Sequence, residues 1–277
     1  MFYCPQGNPY AFFLCEALAS FASSRWYFFP MKKRLEVLNI WVDPVTREEA
    51  IQRVENFLKT GRRPHLVFAA NPEKNFSVPR DPVLYRTFRD ADLLLPDGIG
   101  IVLALRLLYG LRLERVPGSE FIFDICRLCA RRGDGVFFYG AKEAVNRAAV
   151  EILARRFARL PIVGRSNGYV VEADMPALVD KINASGARVL FLALGSPMQE
   201  RWLAQYAGQL KSVRVCQGVG GTLDTIAGTV KRAPEFWCRM NLEWFYRLVS
   251  QPSRIRRQRV LPVFALKVMG KALFGKK

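Results

Sequence analysis

The sequence predicts an α/β fold, Rossmann-like in the broad sense: a mostly parallel sheet with helices on both faces, plus a basic helical C-terminal appendage. Three observations carry this reading. Between about residues 35 and 230, short runs dense in Val, Leu, Ile and Phe alternate with amphipathic stretches. The runs are continuously apolar, as strands covered on both faces must be. Glycine or a polar residue follows each run, as expected at the loop edge of a parallel sheet.

In chain order the strand candidates are His65–Asn71, Asp92–Asp97, Gly135–Gly140, Leu160–Gly164, Arg188–Gly195 and Val213–Gly220. Each is short, rich in strand-forming residues and bounded by turn formers. Helical periodicity places helices at about 46–59, 74–89, 119–132, 142–158, 175–184, 197–210 and 222–228, with another at Ile99–Tyr109. Strand and helix alternating in this way imply crossover connections and parallel pairing.

Residues 1–30 are aromatic and apolar, with no Lys or Arg before Arg25, so they lack the basic start of a signal peptide. They are expected to be an extension of the folded body or the product of an upstream start codon. No stretch reaches the roughly 18 apolar residues of a membrane-spanning helix. The six Cys have no disulfide-like spacing, which favours a reduced, cytoplasmic setting. Cys126 and Cys129 form a CxxC inside a helical pattern, with no second pair and a single His, His65, in the chain. They read as small buried hydrophobes, and neither a metal nor a cofactor is expected.

The formal charge of +18 demands an anionic partner. Residues 231–277 contain twelve basic and two acidic residues, a surplus of +10, and the rest of the chain carries +8. Arg254, Arg256, Arg257 and Arg259 form a dense cluster, and Leu261, Phe264, Ala265, Val268, Ala272 and Leu273 recur at helical spacing behind it. A basic amphipathic helix of this kind lies in the plane of an anionic membrane surface; the competing reading is a helix packed on the body. Basic residues interleaved with stacking aromatics along a sheet face are absent, which argues against nucleic acid. Trp237, Trp244, Phe245 and Tyr246 read as core or interfacial anchors.

Ligands of such a sheet bind where strands end and helices begin. The residues there are Asn71, Asp97-Gly98, Gly140, Gly164, Gly195-Ser196 and Gly218-Val219-Gly220-Gly221. The glycine run lacks the full dinucleotide fingerprint, so it reads either as a nucleotide loop or as a tight turn. Asp90-Ala91-Asp92 matches a metal-binding DxD, yet it precedes its strand and falls at the opposite edge. Asp97, at the ligand edge without an obvious carboxylate partner, suits a general base.

Several segments, in order, resemble one family: Asn71-Pro72-Glu73, Leu95-Pro96-Asp97-Gly98-Ile99-Gly100, Glu114-Arg115-Val116-Pro117-Gly118, Leu194-Gly195-Ser196-Pro197-Met198-Gln199-Glu200, Gly218-Val219-Gly220-Gly221-Thr222-Leu223-Asp224, Gly228-Thr229-Val230-Lys231-Arg232-Ala233-Pro234, Glu243-Trp244-Phe245-Tyr246-Arg247-Leu248 and Gln251-Pro252-Ser253-Arg254. Over about residues 35–260 the chain resembles the WecG/TagA/CpsF glycosyltransferases, glycosyltransferase family 26. The resemblance implies an inverting, metal-independent transferase that moves a sugar from a UDP-sugar donor to an undecaprenyl-diphosphate-linked sugar acceptor at the cytoplasmic membrane face. It serves cell-surface or exopolysaccharide synthesis.

The resemblance implies roles for particular residues. Asp97 matches the catalytic base, with helix capping as the plain alternative. Arg115 matches a residue facing the donor diphosphate, or else pairs with Glu114. Gln199 matches a site residue that hydrogen-bonds the sugar, or else caps its helix. Asp224 falls where the uridine is expected and Asn71 at the sugar-binding edge; Gly140, Gly195 and Gly220 line the same edge. Arg247, Arg254 and Arg257 match tail positions that contact the lipid diphosphate or complete the active site. Ala69 departs from the family's usual Thr, which leaves the donor open between UDP-N-acetylmannosamine and UDP-glucose or a similar hexose. Residues 1–30 are then an extension, 31–235 the catalytic domain and 236–277 the membrane-binding appendage, and a homo-oligomer is compatible with the sequence. A non-catalytic nucleotide-binding protein with a basic tail is the alternative.

Overall fold

The computed structural model describes residues 33–277 apart from 231–233, 235, 238–239, 241, 251–257 and 276–277. The expectation for residues 1–30 lies outside the described residues. The described chain opens with a hairpin of β1 (Leu35–Val37) and β2 (Ile40–Val42). The buried Asp43 that follows takes the Leu94 N–H at 2.7 Å and pairs with Arg34 at 2.9 Å, tying the hairpin to the main sheet. Helix α1 (Arg47–Thr60) starts at a capping box in which Thr46 and Glu49 each satisfy the other's backbone N–H.

The main sheet comprises β3 (His65–Ala70), β4 (Leu93–Pro96), β5 (Val136–Gly140), β6 (Ile162–Ser166), β7 (Val189–Ala193) and β8 (Val215–Gly218), all parallel, in the order β4-β3-β8-β7-β5-β6. Alternate residues divide into two cores. Phe68, Ala70, Leu94, Phe137, Tyr139, Leu190, Leu192 and Cys216 face one. Val67, Leu93, Leu95, Val136, Phe138, Val189, Phe191 and Val215 face the other. Both sides of β4, β5, β7 and β8 and most of β3 are therefore dry, which explains their unbroken apolar runs, whereas the edge strand β6 is only partly covered.

The first core is covered by α3 (Pro82–Arg89), α4 (Ile99–Tyr109), α7 (Met175–Ala184) and α8 (Met198–Tyr206). The second is covered by α1, α5 (Gly118–Arg132), α6 (Glu143–Arg156) and α9 (Thr222–Ile226). The helix expected over 74–89 is broken into a single turn α2 (Lys74–Ser77), a 3₁₀ turn and α3. Pro79 and Pro82 donate no N–H, and Asp81 restarts the helix by accepting from Val83 N and Leu84 N. Gly164, expected at a strand end, lies inside β6 instead. A Cβ there would stand 2.5 Å from the Phe137 ring, so packing requires glycine.

Two helices follow, α10 (Glu243–Ser250) and α11 (Val260–Phe274). In the aromatic group near α10, Trp237 lies 5.9 Å from Phe245 and 6.1 Å from Tyr246, ring centre to ring centre. The apolar stripe of α11 is not wholly outward: Phe264 and Val268 are buried in the first core with Ile101, Ala104 and Leu105 of α4. The physical reason is the apolar side that α4 offers. The Phe264 ring lies 3.5 Å from where a Cβ on Gly100 would stand, in ordinary contact, while Pro72 at 2.8 Å is what requires glycine there. Among the described residues no helix is long and apolar enough to cross a membrane.

Cys126, Cys129 and Cys216 are buried free thiols. Burial pushes the Cys129 thiol up to about 12 and raises the other two as well. At the amino edge of the sheet Asp92 accepts from Arg63 at 2.6 Å and from Leu66 N at 2.9 Å, with His65 Nδ1 also 2.9 Å away. Burial opposes ionisation of Asp92, but these hydrogen bonds outweigh it and hold the carboxyl below its ordinary value. A depressed folded-state value means stability that is complete above the unfolded value of about 3.9 and is lost as pH falls below it. Urea titrations between pH 2 and 6 should show this loss in the wild type and a flatter profile in Asp92→Asn.

Candidate active site

The order of the strands contains one switch point: the connection leaving β7 runs back to β8 while the one leaving β5 runs on to β6, so the two diverge. Such a switch point opens a crevice at the carboxyl ends of its strands. At β3 and β4 the connections cross instead, and the loops that follow both strands are brought together at the same edge.

The edge where β3 and β4 end gathers residues the sequence singled out. Ala70 and Pro96 are register partners, so Asn71 and Asp97 occupy opposite positions one step beyond. The Asp97 N–H donates to Ala70 O at 3.1 Å and extends the ladder. Asp97 Oδ1 accepts from Gly98 N at 2.8 Å. Gly98, at φ 71°, is the cap residue of α4, and no side chain caps this helix. The reading of Asp97 as a plain helix cap therefore fails. Asn71 Oδ1 accepts from Lys74 N at 3.2 Å. Arg115 is brought to the same end because its neighbour Val116 donates to Pro96 O at 2.9 Å.

Gln199, at the start of α8 and nearly buried, accepts from Gly220 N at 3.0 Å and reaches Glu200 Oε1 at 3.4 Å. It neither caps α8 nor stands free in the cleft; it ties the loop after β7 to the loop after β8. Gly195 opens the first of these loops, and nothing lies within 4 Å of where its Cβ would be. Gly140 ends β5 at the switch point, and a Cβ there would come within 2.5 Å of the Ala193 backbone. Strand packing accounts for that glycine. Asp224 lies in the first turn of α9, and its carbonyl accepts from Thr229 Oγ1 at 2.9 Å. Arg247 falls on α10 with its side chain outside the described residues, as are Arg254 and Arg257 entirely. Among the described residues no three His, Cys, Asp or Glu side chains gather as metal ligands.

Three polar residues at this edge escape a sequence reading. Lys74 is buried, donates to Glu200 Oε1 at 2.6 Å and to Ser196 Oγ, and lies 4.9 Å from the centre of the Phe88 ring. The pair joins loops 126 residues apart, and a single sequence carries no sign of that. Gln217, the one polar side chain in the run Val-Cys-Gln-Gly, could have been noticed. It is buried in β8 and donates to Gly118 O at 3.0 Å. A Cβ on Gly118 would stand 3.1 Å from that of Ala69, so the departure at residue 69 lies against the start of α5.

Fold and loop edge together define a Rossmann-like α/β protein arranged to hold ligands at the carboxyl ends of its strands. Residues 35–277 match the Glycosyl transferase WecG/TagA/CpsF family, and the chain belongs to that family. It is 36% identical over 203 residues, 73% of this chain and 78% of the relative, to a protein of Bacillus spizizenii named N-acetylglucosaminyldiphosphoundecaprenol N-acetyl-beta-D-mannosaminyltransferase. A protein of the same name from Bacillus subtilis (strain 168) is 33% identical over 204 residues, covering 74% of this chain and 78% of the relative. The chain is accordingly a glycosyltransferase, and the alternative of a non-catalytic nucleotide-binding protein falls.

Replacing Lys74 by Met strands the Glu200 charge in a dry site, which costs about 3–5 kcal/mol. In thermal unfolding this corresponds to a drop of roughly 10 °C for a domain of this size. The double variant Lys74→Met/Glu200→Leu should regain most of the loss.

Proposed function

We propose that this glycosyltransferase moves a sugar, with inversion and without a metal, from a UDP-sugar of the UDP-N-acetylmannosamine or UDP-glucose type to an undecaprenyl-diphosphate-linked sugar. The observation that carries the reading is the meeting of Asp97, Asn71 and the Arg115 loop where β3 and β4 end. The names of the two Bacillus relatives support the lipid-linked acceptor.

In this reading the Asp97 carboxylate takes the proton of the acceptor hydroxyl as its oxygen attacks the anomeric carbon. The bond from that carbon to the UDP oxygen breaks from the opposite face, and UDP departs with the electron pair. The Arg115 guanidinium offsets the charge that gathers on the departing diphosphate. Asn71 and Gln199 set the sugar-binding side of the cleft, Gln199 in part by holding Gly220 in place. Asp224 meets the uridine at the start of α9, with Gly195 and Gly220 leaving room for the nucleotide. Arg247, Arg254 and Arg257 approach the lipid diphosphate, and the basic tail holds the enzyme as a peripheral protein on the inner face of the membrane. Ala69 brings no hydroxyl to the cleft, so an N-acetyl group on the donor is not required by that position.

Purified enzyme given a panel of UDP-sugars and a short-chain prenyl-diphosphate sugar should consume one donor and release UDP. Asp97→Ala should lower turnover about 10²–10⁴-fold with little change in stability, the range for loss of a general base. Arg115→Ala should lower turnover as well, with Arg115→Lys recovering part of it. Full activity in Asp97→Ala would remove the carboxylate from the mechanism.

A further inference from the structure

We infer that α4, within the transferase body, forms a single membrane-docking face together with α11, so that the catalytic domain itself lies against the lipid surface. The inference rests on the proposed lipid-linked acceptor and extends it to residues on which no tail-only docking would depend.

Helix α11 uses opposite sides for different purposes. Phe264 and Val268 face α4 and the core, whereas Leu266, Met269 and Leu273 are exposed. The exposed three follow i, i+3, i+7 spacing and form one stripe. Helix α4 shows a matching stripe. Gly100, Leu103 and Leu107 share one face at the same spacing, and Gly100 is where the Phe264 ring of α11 comes to rest. Leu103 and Leu107 are nevertheless 48% and 56% exposed. Two neighbouring helices thus leave large apolar side chains in water, beyond what scattered surface leucines amount to.

Charge selects the occupant. Residues 98–113 and 258–277 contain no Asp or Glu, while Arg106, Lys267 and Lys271 are exposed beside the apolar stripes. A second copy of the chain would set these cations against each other. An anionic lipid surface would pair with them and accept the leucines between its headgroups. Placement relative to the site agrees. Helix α4 begins two residues after Asp97, so at 1.5 Å per residue Leu103 and Leu107 lie about 9 and 15 Å along the chain axis from the cleft. Lys267 lies 5.5 Å from the centre of the Phe76 ring, toward the α2 side that carries Asn71 and Lys74. A face that starts this close to the cleft would present it at headgroup depth, where a lipid-linked diphosphate resides.

The test uses the full chain and vesicles of phosphatidylglycerol and phosphatidylethanolamine at a 1:1 ratio, about 0.1 M salt, with pure phosphatidylcholine vesicles as the neutral control. Wild type should float with the anionic vesicles, and Leu103→Glu/Leu107→Glu, with its tail intact, should lose at least tenfold in bound fraction. Its turnover on a water-soluble short-chain acceptor should stay at the wild-type level while turnover on vesicle-borne acceptor falls in parallel with binding. In a separate variant, Leu107→Trp, bromine-labelled lipid should quench the added indole; this readout survives if the charged variant misfolds. Undiminished flotation of the double Glu variant, or an unquenched indole, overturns the proposal. So does a concentration-dependent dimer in lipid-free sedimentation that the double variant abolishes, which would assign the face to a second copy. Flotation and quenching do not depend on any donor being consumed, so failure of the transferase reading would be seen separately.

Discussion

The buried pair between Lys74 and Glu200 is the interaction on which the loop edge depends. Burying two charges is expensive, and such a pair persists only where geometry and further hydrogen bonds compensate for lost water. Here the compensation is partial: Glu200 Oε1 accepts from Lys74 and from Gln199 Nε2, Gln199 Oε1 accepts from Gly220 N, and the buried Glu200 Oε2 has no hydrogen-bond partner among the described residues. These groups come from the loops after β3, β7 and β8, three adjacent strands. Polar groups linked in low dielectric reinforce one another, so the three loops behave as one unit. Asn71 at one end and Gly220 at the other are thereby placed relative to each other, although no segment of backbone joins them directly.

The dry sheet beneath this edge explains why the polar chemistry is concentrated there. Both faces of every central strand are packed, so a polar side chain within a strand must find a protein partner. Gln217 does so at Gly118 O, and Asn146, fully buried on α6, donates to Gly140 O and Ser166 O. At the amino edge Asp92 gathers Arg63, His65 and Leu66 N in a knot that fastens β4 to β3. The polar groups at the amino edge thus serve to fasten two strands, whereas the carboxyl edge gathers Asp97, Asn71, the Arg115 loop and glycine backbone where the strands end. Asp90 and Asp92, despite the DxD spacing, belong to the amino edge, and strand direction alone separates the two possibilities.

What could be read from the sequence followed physical range. Strand and helix alternation is a local signal, and it located all six strands of the main sheet to within a few residues. The residues ending β3 and β4 were visible as Asn71 and Asp97 because parallel topology assigns them to one edge. The break at Pro79, Asp81 and Pro82 was also local and readable, yet apolar periodicity across 74–89 masked it. The Lys74–Glu200 pair was not readable, since nothing in either neighbourhood marks a partner 126 residues away. Periodicity in α11 gave a stripe without saying what lay against it. Phe264 and Val268 turn inward because α4 presents the apolar Ile101, Ala104 and Leu105 to them.

That inward turn changes how the excess charge is to be understood. A tail that only trailed behind the domain would bring its cations to a surface with no fixed relation to the cleft. Instead α11 is packed on α4, and α4 is continuous in chain with Gly98 and Asp97. A helix is stiff over eleven residues, so α4 carries the α11 contact to within two residues of Asp97. Thermal motion of α11 about α4 would have to expose Phe264 and Val268 to water, which costs about 1.5–3 kcal/mol for each side chain. Among the described residues, Lys267 and Lys271 are therefore held in a defined direction by the apolar packing of α11 on α4.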